Sequence, residues 1–286
     1  MPQGADGEPA SGKTPSLADA GRLLDEVVDI QDVLTDEQVA PAPGSLGAQE
    51  LTCARSQPCP AGAWGEGPVR AAYALALLNY RVALDHATAI AAMTKDGHSA
   101  VSASVVTRAL VEVASQAWWL LEPDIGHVRR VERMIAVRFR SAREGEKSAS
   151  ADGIPVEEHH TYTETRKQVE EYATRLGLEA PWVDTSNPWQ VFVCGSERLP
   201  TASWRIREMF ADIDLPSVYP IFSGYSHGEL FALLREFEQT VRGELGPHYR
   251  SVTNETSFMG AVAVASYALH PPAERLITLY GLGHSD

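Results

Sequence analysis

Between Ser99 and Pro123 the chain reads SAVSASVVTRALVEVASQAWWLLEP, apolar on nearly every side of a helix except along one line. Ser104, Arg108, Glu112 and Gln116 recur at every fourth position and so stack in a single column. A helix with so little polar circumference belongs at the centre of a fold, and its column must find partners inside the protein.

The same periodicity predicts helices on either side. Pro68 opens one that runs to about Lys95, because proline is tolerated at the first helical position and Tyr73, Leu77, Tyr80, Leu84, Ala87 and Ala91 follow at helical spacing. Another is expected from Gly126 to about Glu144, with Val131, Met134, Ile135, Phe139 and Ala142 inward. Arg138 falls on that inward face, whereas Arg129, Arg130, Arg133, Arg140 and Arg143 mostly face outward, as a solvated charged surface or, in the sharper reading, a local anion site. Residues 147–153 read as a Ser/Ala/Gly loop, 157–176 as a polar surface helix closed by Gly177, and 181–200 as an irregular segment with room for a short strand. Further helices are expected over 201–212, 216–243 with a break allowed at Gly224, 256–270 and 273–280. Nothing alternates as βαβ, so the fold class is all-α: a single helical bundle domain over 68–286.

Ahead of that domain, residues 1–15 predict a disordered tail. Ser16 can cap an acidic amphipathic helix over 16–36, with Ala20, Leu23, Val27, Ile30 and Leu34 as its apolar stripe and Asp19, Asp25, Asp29, Asp32 and Asp36 opposite. Residues 37–67, rich in Pro, Gly and Ala, read as a linker.

The 286 residues carry a formal charge of −14, which excludes broad capture of DNA or an anionic membrane. Residues 1–50 hold ten acids against Lys13 and Arg22, so the remainder is only mildly acidic. Cys53, Cys59 and Cys194 are odd in number and lack CxxC spacing, as neither a disulfide framework nor a zinc site would be. With no apolar signal core at the N-terminus and no uninterrupted apolar span, a cytoplasmic location is the default expectation.

Three formal motifs need their context. Gly7 to Thr14 matches a Walker A loop, but the small and polar residues before it cannot supply the buried strand that such a loop needs. Gly224-Tyr225-Ser226-His227-Gly228 matches the G-x-S-x-G elbow of serine hydrolases, yet helices precede it where a parallel sheet is required; Ser226 with Glu229 equally makes a capping box. Arg81 and His86 fit the R-x4-H pattern of HEPN ribonucleases, but five helical residues turn them about 140° apart, and Arg81 suits Asp85 better. His159 and His160 are adjacent, a poor metal pair on a helix.

TRALVE and AWWLLEPD, then the arginine-rich helix and YPIFSGYSHGELFALL, together resemble all-helical actinobacterial proteins of the DUF5677 group, distantly HEPN-like, over about 69–234. Their R-x3-E and S-x3-H-G patterns correspond to Arg108, Glu112, Ser223 and His227. The resemblance implies a helical fold and no particular activity. The expected site is thus a buried cluster in which His227, Glu112 and Arg108 are the candidate reacting groups and Arg138, Ser223 and Ser226 the candidate binding groups. Its expected ligand is a small molecule or anion, with no cofactor or metal implied and a homodimer through helices possible; an HEPN-like ribonuclease or defence module is the alternative, and a serine hydrolase a more remote one.

Overall fold

The computed structural model describes residues 16–35, 40–96, 100–151, 160–186, 191–213, 218–227, 229–233, 237–243, 246–251 and 255–282. The expected tail and its Walker A match lie outside these residues, as do His159 and Gly228. Helix α1 (Leu17–Asp32) begins on a capping box, Ser16 accepting from the Asp19 backbone and Asp19 accepting from that of Ser16, each at 3.2 Å. Its buried line is Ala20 and Leu24, with Val27 and Val28 beside it. Leu23 and Ile30, expected in the stripe, are 52% and 74% exposed, so the helix is rolled relative to the simple periodic expectation.

The segment expected as linker contains a docked helix, α2 (Leu46–Ser56), capped by Ser45 and burying Glu50, Leu51 and Ala54. A two-stranded ribbon follows, β1 (Pro58–Cys59) against β2 (Gly62–Ala63). Trp64 is then pinned by its indole N–H, which donates to the Leu176 carbonyl at 2.8 Å. Composition concealed this because short Gly- and Pro-rich turns flank only eleven helical residues.

The long helices are α3 (Gly67–Asp96), α4 (Ala100–Leu120) and α5 (Gly126–Ala151). The last continues through most of the expected 147–153 loop and buries Ala149. Helix α6 (His160–Arg175) lies on α5. Strands β3 (Trp182–Asp184), β4 (Val191–Cys194) and β5 (Glu197–Arg198) form an antiparallel sheet in that order, Val183 opposite Phe192 and Cys194 opposite Glu197. Helix α7 (Ala202–Met209) is capped by Thr201.

The expected 216–243 helix is replaced by α8 (Val218–His227), the single turn α9 (Leu230–Leu233) and strand β6 (Phe237–Gly243), which pairs with β7 (Gly246–Ser251). Phe237, Thr240 and Val241 favour extended backbone, and glycines bound the strands at 243 and 246. Helix α10 (Glu255–Tyr280) is continuous where two helices were expected, passing through Pro271 and Pro272. Buried Leu269, Ala273 and Leu276 hold both halves, so packing overrides the loss of two backbone N–H groups.

The class is all-α, with α4 against α3, α10, α7 and α8. One apolar core lies among α1, α3, α4 and α10, and a second among α2, α3, α5, α6 and β4. No described helix is long and apolar enough to cross a membrane.

Candidate functional site

The α4 column behaves in two ways. Ser104 is buried, but Arg108, Glu112 and Gln116 reach the edge of the packing and find partners there. Arg108 Nε donates to Glu112 Oε1 at 2.9 Å, and the Tyr219 hydroxyl donates to the same oxygen at 3.1 Å. The Arg108 guanidinium lies over the Tyr219 ring, 5.7 Å from its centroid, and its Nη1 is 3.2 Å from His227 Nε2. Burial opposes the Arg108 charge, but the bonds to Glu112 and Tyr219 outweigh it and raise its pKa. Gln116 Nε2 donates to Asn79 Oδ1 at 2.9 Å, linking α4 to α3.

Glu112 and Gln116 also line a cleft of about 500 Å³ whose other walls come from α3, α5 and α7. Three guanidiniums line it: Arg138, Arg140 and Arg205. Arg205 is 2% exposed, and its side chain's only hydrogen bond among the described residues runs from Nη1 to the Pro200 carbonyl at 2.7 Å. Its Nε is, among the described residues, the buried side-chain nitrogen or oxygen without a partner. Burial first, and the charge of Arg140 second, pull its pKa down to about 10, with Glu112 and Tyr219 pulling back. At neutral pH it is therefore still a cation. Arg138 and Arg140 form no ion pair among the described residues, and the cleft's other carboxylate, Glu144, is bonded by Lys147 at 3.0 Å.

The first half of α5 shows the opposite arrangement. Arg130 and Arg133, expected outward, are buried. Arg130 grips Glu50 with two bonds of 2.6 and 2.7 Å and donates to the carbonyls of Leu120 at 2.6 Å and Glu122 at 3.0 Å. Arg133 donates to Glu197 at 2.8 Å, to the Trp119 carbonyl at 2.5 Å and to the Glu122 carboxylate at 2.6 Å. Arg275 of α10 adds a bond of 2.7 Å to the Trp118 carbonyl while lying over that ring at 3.7 Å. The carbonyls of Trp118, Trp119 and Leu120 belong to the last turn of α4, at its negative end, so the clasp caps that helix with guanidiniums.

On another face of α5, Glu132 accepts from the Ser196 hydroxyl at 2.8 Å and its backbone N–H at 3.2 Å. Burial raises the Glu132 pKa, with the Ser196 bonds opposing. Gly195, at φ +54°, makes this possible: a Cβ there would stand 2.0 Å from Glu132 Oε1.

Of the residues expected to converge, Arg108, Glu112 and His227 do meet, but at an edge where His227 is exposed. Arg138, expected inward, is exposed; it shares the cleft with Glu112 without pairing to it, because α5 turns the 130–137 stretch into the core instead. The Ser223 hydroxyl makes no hydrogen bond among the described residues. Ser226 lies within α8 and its hydroxyl donates to the Phe222 carbonyl at 3.1 Å, so it forms neither a strand-to-helix elbow nor an N-cap. Arg81 is exposed, does not pair with Asp85, and lines a different cleft beside Arg70 and Tyr73; His86 is half-buried. Buried Cys194 has its thiol pushed up to about 12, chiefly by desolvation. Among the described residues no three His, Cys, Asp or Glu side chains are grouped to hold a metal.

Sequence reasoning missed Arg205 and Tyr219, and named Arg140 only as one of several outward arginines. A signal existed for Arg205: it stands three after Ala202 and four before Met209, on the inward face of a short capped helix. No family model, curated protein or solved structure matches the chain.

Proposed function

We propose that the chain binds a small anionic molecule in the cleft bounded by α3, α4, α5 and α7. The observation that carries this is the set of three guanidiniums on one cleft, none with a carboxylate partner among the described residues, including a buried Arg205 that retains its charge. A desolvated cation costs free energy unless an anion meets it, and guanidiniums suit carboxylate, sulfate and phosphate groups by their forked geometry. Glu112 touches this cleft, whereas Arg108 and His227 stand behind it as positioning groups through Glu112 and Tyr219. The resemblance to the DUF5677 group stays part of the proposal, supported by the contact between its two motifs at Arg108 and His227.

The test is thermal and chemical denaturation in inorganic sulfate at constant ionic strength. Sulfate at a hundredfold excess over its Kd is expected to add about 2.7 kcal/mol of stability, saturably. The double variant Arg138→Gln/Arg140→Gln should lose that gain. A rise that never saturates, or that persists in the variant, would reduce the effect to general salt and sink the proposal.

A further inference from the structure

The cleft is not polar all round. Its α3 wall presents Leu75, Leu78 and Val82, one helical stripe, with Leu78 58% and Val82 36% exposed. The guanidiniums come from other walls of the cleft, on α5 and α7. A hydrated inorganic ion would use only one of these walls and leave the apolar one wet. A volume of about 500 Å³ falls within the usual span for small-molecule sites and exceeds what a lone oxyanion fills. Asn79 and Gln116, bonded to each other, sit among the lining residues as neutral polar groups that can orient a ligand without adding charge.

From this two-sided lining, and resting on the anion-binding proposal above, we infer that the ligand is an amphipathic anion, with one carboxylate, sulfonate or phosphate head for Arg138, Arg140 and Arg205 and an aromatic or aliphatic body lying on Leu78 and Val82. Charge complementarity fixes the head to the arginine side, and the exposed stripe takes the body by removing apolar area from water.

Two probes with the same head separate the body from the charge: methanesulfonate and naphthalene-1-sulfonate, each titrated calorimetrically into the full chain. Naphthalene-1-sulfonate is expected to bind at least about tenfold more tightly. The variant Leu78→Gln/Val82→Gln changes exposed positions without altering charge; it should erase that advantage and leave methanesulfonate affinity as it was. Arg205→Lys should weaken both probes. Equal affinity for the two probes in the unaltered chain would overturn the amphipathic ligand while leaving the anion site standing, as would an advantage that survives the double variant. Absence of binding by either probe would remove the anion site itself, and this inference with it. Sedimentation on the same samples covers the remaining occupant: if the double variant turns a dimer into a monomer, the stripe belongs to a second copy and the inference fails.

Discussion

Helix α5 carries two groups of arginines that differ in what answers them. Near its start, Arg130 and Arg133 meet Glu50, Glu197, Glu122 and the last carbonyls of α4, so buried charge is matched bond for bond. Two turns later, Arg138 and Arg140 face a cleft with Arg205 and have no such answer among the described residues. Each group also takes an arginine from another helix, half-buried Arg275 in the clasp and buried Arg205 in the cleft, both with pKa values lowered to about 10 mainly by burial. Arg275 still rests on a ring and a helix-terminal carbonyl, whereas Arg205 retains an unpartnered Nε. Residue type alone therefore does not distinguish a structural cation from a binding one; the accounting of partners does.

The sharpest way to break this contrast is at Glu50. Glu50→Ala leaves Arg130 buried without its carboxylate and should cost about 3 to 5 kcal/mol in urea unfolding. A loss below about 1 kcal/mol, the range of exposed pairs, would mean that the clasp is effectively solvated. The cleft should respond in the opposite direction. Arg205→Met, measured without sulfate, should leave stability unchanged or raise it by on the order of 1 kcal/mol, because it removes a desolvated charge at the expense of a single carbonyl bond. A large destabilisation would place Arg205 with the clasp. A finer and smaller test uses pH at Glu132. Its folded pKa is raised, so the stability it contributes is complete below the ordinary glutamate value near 4.3 and is lost as pH climbs through the folded value. Relative to Glu132→Gln, the unaltered chain should thus lose stability as pH rises above the ordinary glutamate range, whereas a flat difference would show that Glu132 titrates normally.

Much of the architecture was legible because it is written in local spacing. Apolar residues at intervals of three and four located α3, α4 and α6 closely, and Ser16 marked the start of α1. What failed depended on distant partners. Arg130 reads as a surface residue until Glu50, 80 residues earlier in an apparent linker, is folded against it. Strand β6 was lost because the expected 216–243 helix was carried past its apolar part into the mostly polar FEQTVRG, and β7, GPHYRS, has too few apolar residues to show a period. At the site, Arg108, Glu112 and His227 could be found because two motifs and one column pointed to them. The Tyr219 bond and the cleft walls from α5 and α7 could not, since no local spacing predicts which helices will flank an opening.

The position of α10 governs when this molecule can acquire its structure at all. Tyr80 donates to the Leu269 carbonyl across 189 residues, and Thr107 reaches that of Ala261 across 154. A ribosome adding about 5 to 20 residues per second needs on the order of ten seconds to cross such an interval. Throughout it, α4 has been synthesised but the helix that covers its apolar flank has not. The nascent chain therefore passes through a prolonged stage with one apolar flank of α4 uncovered, and in that window its fate depends on chaperone capture against aggregation rather than on final stability.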